Sequence, residues 1–266
     1  LKAFEFVKIE ELKGKPRSEG ITEIRGSYYT VVTPKYLEEL LNIAGEYIDI
    51  FKYSGGSMRL HPREKVKQVN SLCHDNGVLV STGGFTEKVL TQGRNTFSQY
   101  LREAKDLGFD IVEISSGYID ISSQEKERIV EDVKEEGLKP KPEVTLVKGA
   151  GGAHEEWNTS GLPYDEMMKD IDEYLKCGVW KIMMESEGIT ENVKEWRKDI
   201  VGELIKRYGS NTFVFEAADR PVFRWYVNSF GKDVNLFVDH SQILELTALR
   251  TGLWAPAKPW GEIDYK

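Results

Sequence analysis

Acidic and basic side chains recur at the ends of short β-rich runs in this chain, and their types suit ligand chemistry. Glu113, Glu185, Glu216 and Asp239 each lie at or near the end of such a run. Oxygen ligands of this kind fit Mg²⁺, a hard cation often held through only one or two carboxylates. Arg25, Lys52 and Lys148 lie at or just beyond run ends, and with Lys141, near the start of its run, could meet a phosphate or carboxylate. Two turns, Ser54-Gly55-Gly56-Ser57 and Ser81-Thr82-Gly83-Gly84, follow β-rich runs, so their N–H groups could cradle an anion. Glycine pairs more often simply close a turn. Neither turn is a Walker loop, and there is no GxGxxG fingerprint.

Other candidates are weaker. His61, His74, His154 and His240 show no HxxxH spacing, which argues against zinc. Cys73 and Cys177 lie in helix-like stretches, where inert thiols are expected. Phe223-Arg224-Trp225-Tyr226 reads as helix packing, and Ser241 as a helix N-cap.

The elements that must position these groups follow one repeating unit: a β-rich run, a turn, then an amphipathic stretch ending near Gly. The β-rich runs are 21–26, 48–54, 78–83, 110–116, 140–146, 179–185, 212–217 and 234–239. Helix-like stretches cover 34–47, 62–76, 97–108, 123–136, 164–177, 191–208, 221–230 and 243–252. Gly77, Gly108, Gly137, Gly178, Gly209 and Gly231 stop helices, and Pro34, Pro62, Pro163 and Pro221 sit near helix starts. Strand–helix alternation implies parallel strands with right-handed crossovers. Eight such units predict a single α/β domain, a closed (β/α)₈ TIM barrel, over residues 21–255. An open doubly wound sheet is the alternative. Residues 1–20 read as a tail or barrel cap, 256–266 as a C-terminal tail, and 147–162 as a long Gly-bearing loop able to act as a lid.

In such a barrel, one parity class of each strand faces inward. That class is unexpectedly polar: Glu23 and Arg25, Lys52, Ser81 and Gly83, Glu113 and Ser115, Lys141 and Glu143, Lys181 and Glu185, Glu216, Asn235 and Asp239. Charges there are costly unless they pair or meet a ligand. Either a structural ion-pair network or a polar site satisfies that condition, and the recurrence of both signs favours a site.

The 266 residues carry 36 Lys+Arg and 44 Asp+Glu, a net charge of −8 that argues against nucleic acid or an anionic membrane surface as partner. No apolar run approaches the roughly 20 residues of a membrane span. Leu1–Phe6 has no signal-like apolar core, and with Cys limited to two a cytoplasmic setting is expected.

The chain resembles the phosphosulfolactate synthase family over nearly its full length. The most specific match is Gly108-Phe109-Asp110-Ile111-Val112-Glu113-Ile114-Ser115, with Gly117 and Asp120-Ile121-Ser122. Tyr47-Ile48-Asp49 leading to Lys52, Gly83-Gly84, Phe215-Glu216-Ala217 and Asn235-Leu236 add to it. The resemblance implies a barrel lyase that adds sulfite to phosphoenolpyruvate with Mg²⁺, an early step of coenzyme M synthesis. It implies roles for Lys52, Glu113, Glu185, Glu216 and Lys148, and a homo-oligomer. Two places depart from the synthases: Ile24-Arg25-Gly26 replaces Asp-Lys-Gly, and Glu185-Ser186-Glu187 lacks the family's arginine. There the chain is more similar to the plant heat-stress-associated branch, sharing Thr22-Glu23-Ile24-Arg25-Gly26 with Tyr28-Tyr29, and Phe237-Val238-Asp239-His240-Ser241-Gln242.

The resulting expectation is a synthase-like lyase acting on a small anionic substrate. Lys148 or Lys141 is the expected proton donor, with Glu113 beside them in catalysis. Arg25, Lys52, Ser81, Gly83, Gly84 and Ser115 are expected to bind substrate, and Glu185, Glu216 and Asp239 to bind Mg²⁺. The alternative is a repurposed barrel that supports heat tolerance through partner proteins, without synthase activity.

Overall fold

Each β-rich run forms a strand shorter than its apolar stretch, because the flanking residues turn into loops that carry the polar groups. The computed structural model describes residues 2–147, 164–217 and 219–254. Its strands are β1 (Thr22–Arg25), β2 (Ile50–Lys52), β3 (Leu79–Ser81), β4 (Ile111–Ile114), β5 (Lys139–Val144), β6 (Ile182–Met184), β7 (Phe213–Glu216) and β8 (Leu236–Asp239). Between and after them run α1 (Pro34–Ala44), α2 (Arg63–Asp75), α3 (Thr86–Leu90), α4 (Arg94–Leu107), α5 (Ser123–Glu135), α6 (Tyr164–Lys176), α7 (Lys198–Tyr208), α8 (Arg220–Phe230) and α9 (Ile243–Arg250). All neighbouring strands pair in parallel, and β1 also pairs with β8, Arg25 opposite Asp239. That last pairing closes a (β/α)₈ TIM barrel and excludes the open sheet.

The caps explain the helix limits. Thr33 accepts the Tyr36 N–H with Pro34 in the first turn, and Ser122 accepts the Glu125 N–H. Gly108, at φ 84°, ends α4 in the left-handed region. Apolar stripes then pack the helices on the strands; Ile129, Val130 and Val133 of α5 are fully buried.

Three local expectations change. The stretch 191–208 is helical only from Lys198: Asn192 has φ 52° and Glu187 bridges Glu191, so the chain turns before it coils. Ser241 is not the cap after β8; Asp239 is, and the Ser241 N–H and hydroxyl both donate to its Oδ1. Cys177 lies just beyond α6 and is partly exposed, whereas Cys73 is buried and its thiol pushed up by that burial.

Polar contacts seal the end where the strands begin. Arg17 donates to both oxygens of Asp49 at 3.0 Å, and Lys15 reaches Gly45 O at 2.7 Å. Lys181 donates to Ser18 O at 3.0 Å, and Arg250 to Gly20 O at 2.6 Å. Chemistry is therefore left to the opposite end. Residues 148–163, which include most of the expected lid and Lys148, and residues 255–266 lie outside those described.

A candidate active site at the barrel mouth

Inside the barrel, apolar groups of inward parity form two small clusters apart from the main core. Ile21, Ile50 and Ile111 make one, and Met183, Val214 and Phe237 the other. Two residues further along the same strands, the inward positions become charged.

The deepest charges are a fully buried network. Lys141 donates to Glu23, at 2.6 Å to Oε2, and lies 3.0 Å from Glu113 Oε2. Lys52 Nζ reaches Glu113 Oε1 at 2.7 Å. Burial opposes ionisation of Glu113, yet Lys141 and Lys52 hold its carboxyl below the usual range. Lys52 is pulled down by burial, but Glu113 and the carboxylates around it hold it above its ordinary value. Lys52 Nζ also sits 4.4 Å from the centre of the Phe237 ring.

Above this network, Arg25 donates to Glu216 Oε1 at 2.5 Å. Its guanidinium lies between the Tyr29 and Phe237 rings, 4.9 Å from each centre. Ser186 donates to the other Glu216 oxygen at 3.2 Å.

Beside that pair three carboxyls meet. Glu143 and Glu216 both lie within hydrogen-bonding reach of Glu185. Burial, together with the charges of Glu216 and Glu143, lifts the Glu185 carboxyl well above the carboxylate range. Burial and the neighbouring Glu113 push Glu143 up to about 8. Glu216 goes the other way: despite burial, the Glu185 hydrogen bond and the cations Lys52 and Arg25 hold it down. Three close carboxyls cannot all ionise without a counter-charge. In the protein alone, burial and this crowding favour the protonated forms of Glu185 and Glu143.

The residues fit a divalent cation in place of those protons. Among the described residues, no three or more His, Cys, Asp or Glu side chains already form a metal-ready shell. Mg²⁺ does not require one, since one or two carboxylates plus water and substrate oxygens commonly suffice. Glu185 and Glu143 are the pair whose repulsion such an ion would relieve.

Polar atoms near the mouth also lack partners. Arg25 Nε and the Ser115 hydroxyl are buried without a hydrogen bond. The β3 turn approaches closely: a Cβ on Gly84 would lie 3.6 Å from Glu143 Oε2 and 3.7 Å from Ser115 Cβ. Gly83 has φ 62°, and its N–H reaches Ser81 Oγ at 3.4 Å.

Sequence expectations divide accordingly. Glu185 and Glu216 are together. Arg25, Lys52, Ser115 and the Ser81–Gly84 turn belong to the same end of the barrel. Asp239 is not joined to the carboxyl group; its Oδ1 caps the turn after β8, and those Ser241 hydrogen bonds, against burial, hold its carboxyl low. Glu113 and Lys141 are fully buried beneath Lys52 rather than open to substrate. Lys148 lies outside the described residues. Glu143 and Glu23 were legible in the polar parity class but had no assigned role. Tyr29 and Ser186 lie off the strands and entered only through the family resemblance, with no role assigned to either.

Comparison with known proteins agrees with this architecture. In solved structures, the barrel is similar to a Thermotoga maritima phospho-2-dehydro-3-deoxyheptonate aldolase, TM-score 0.52 at 12% identity, covering 88% of this chain and 68% of that one. At that identity the likeness concerns the fold alone. Protein HEAT-STRESS-ASSOCIATED 32 of Arabidopsis thaliana is 33% identical over 258 residues, 92% of this chain and 90% of that protein. A phosphosulfolactate synthase of Methanothermobacter thermautotrophicus is 26% identical, covering 95% of this chain and 96% of its own length. The family model described as (2R)-phospho-3-sulfolactate synthase (ComA) matches residues 10–256, and the chain belongs to that family.

Proposed function

We propose that the barrel mouth catalyses addition of sulfite, or a related nucleophile, to phosphoenolpyruvate with Mg²⁺. The observation that carries this reading is the three-carboxyl group Glu143–Glu185–Glu216 set against Arg25 and Lys52. One side of the mouth suits a divalent cation and the other suits the anionic groups of a substrate.

In this reading Glu185 and Glu143 hold Mg²⁺, which supplies Lewis-acid stabilisation of charge building on the substrate carboxylate. Arg25, through its unpartnered Nε, and Lys52 orient the phosphate or carboxylate. Ser115 and the Gly83-Gly84 turn fix its position. Glu113 acts below the substrate, holding Lys52 upright and charged, while Lys141 balances Glu113 and Glu23. The sulfur lone pair forms a bond to the β-carbon, the carbon–carbon π bond breaks, and the α-carbon takes a proton. Lys148 is the proposed donor of that proton, on sequence grounds.

A second reading rests on two observations. Identity is 33% to the heat-stress protein against 26% to the archaeal synthase. The cations Arg25, Lys52 and Lys141 are also all engaged with carboxylates of the chain itself. Under this reading the barrel supports heat tolerance without synthase chemistry. Incubation with phosphoenolpyruvate, sulfite and Mg²⁺, followed by ³¹P NMR and mass spectrometry, separates the two. A sulfonated phospholactate product dependent on Mg²⁺ is expected; unchanged phosphoenolpyruvate at saturating sulfite would overturn the synthase reading.

A further inference from the structure

A cavity of about 250 Å³ lies among the segments after β2 and β3, α2 and α4. Apart from Thr82 of the β3 turn, its lining shares no residue with the mouth, and its ligand chemistry is independent of the activity proposed there. Its walls are largely apolar, with Met58, Val66, Phe85, Leu107 and Phe109 among them. The Phe85 and Tyr100 rings meet edge-on with centres 5.9 Å apart, leaving ring surface for a flat guest.

Polar groups of complementary kinds accompany that apolar lining. The Tyr100 hydroxyl is buried and makes no hydrogen bond of good geometry. Burial raises its pKa to about 12, against the pull of the neighbouring Thr82 and Thr86 hydroxyls, so it stays protonated. Thr86 and Thr82 next to it already donate elsewhere, to Glu113 O at 2.6 Å and Gly83 O at 3.3 Å. Arg59 also lines the cavity and is exposed, with no ion pair to a described carboxylate. Arg63 alongside is different: it is held by Glu103 and Asp106. His61 and Glu103 also line the space, Glu103 being paired with Arg63, which leaves Arg59 as its unpaired cation.

We propose that this cavity binds a small aromatic acid, a one- or two-ring molecule bearing a carboxylate. The carboxylate pairs with Arg59, the rings lie against Phe85 and Phe109, and an oxygen on the ring accepts from Tyr100. The volume falls below the roughly 300 Å³ at which drug-sized pockets begin, which limits the guest to about two fused rings.

The fluorescent probe 6-hydroxy-2-naphthoate tests this on the full chain. Saturable one-site binding is expected, at least about 10-fold weaker in Arg59→Ala, the scale of one charge-assisted contact. Tyr100→Phe is expected to weaken it several-fold, and Ala104→Phe, which fills the space, to abolish it. Excess phosphoenolpyruvate should leave the probe bound. Non-saturable binding, an affinity unchanged in Arg59→Ala, or displacement by phosphoenolpyruvate would each overturn the proposal. Should Ala104→Phe fail to fold, the exposed Arg59 variant still decides the outcome.

Discussion

Glu185 has a carboxyl neighbour on each side, and that crowding makes the mouth sensitive to pH and cations. Glu143 is the more accessible test, since its pKa rises from an ordinary 4.5 to about 8. With a raised folded value, the folded protein binds more protons than the unfolded chain between those limits. Its stabilising contribution is complete below the lower value and lost as pH climbs through the upper one. Glu143→Gln stays neutral throughout. Without divalent cations, its melting temperature should match wild type near pH 4 and exceed it by a few degrees above pH 8. A pH-independent difference in thermal melts would contradict this. Lys141 provides the opposite case. Lys141→Met leaves Glu23 and Glu113 buried without their shared cation, which should cost roughly 3–5 kcal/mol in urea unfolding. Adding Glu23→Gln should restore part of that loss; no restoration would show that the pair does not share the charge.

At the scale of elements, the turn after β3 brings backbone to the carboxyl group, and only glycine permits it. A Cβ at Gly83 would lie 1.6 Å from the backbone oxygen of Tyr53, which cannot give way. Gly77 has the same φ of 62° but open space around it. Gly83→Ala should therefore lose at least ~3 kcal/mol, whereas Gly77→Ala should lose ~1 kcal/mol, as read by chemical denaturation. Equal losses would remove the steric role of the turn. The strands and their order were legible in the sequence because alternating apolar runs and glycine stops mark each unit. Parity also identified Glu23, Arg25, Lys52, Glu143, Glu185 and Glu216 as inward-facing. It could not tell top from bottom: Lys181 and Asn235 share that parity, yet Lys181 bonds Ser18 O and Asn235 bonds the Ile21 N–H at the closed end. Nor does a strand end reveal whether its carboxylate is already spent, as Asp239 is in capping the next turn. Tyr29 and Ser186 come from loops, where no periodicity points the side chain.

Across the whole molecule, the two barrel ends divide the work. Arg17, Lys181 and Arg250 satisfy backbone and carboxylate groups at one end, and charge is concentrated without full compensation at the other. Stability thus resides where the strands begin, and ligand chemistry where they end. Among the described residues no helix is long and apolar enough to cross a membrane. The central proposal is that protons held among Glu143, Glu185 and Glu216 give way to a divalent cation. Calorimetric titration of the protein with MgCl₂ at pH 7, in two buffers of different ionisation enthalpy, tests it most directly. Release of about one to two protons per Mg²⁺ bound is expected, since Glu143 and Glu185 are both raised, and loss of binding and its proton release in Glu185→Gln. Mg²⁺ binding without proton release, or binding that survives Glu185→Gln unchanged, would contradict it.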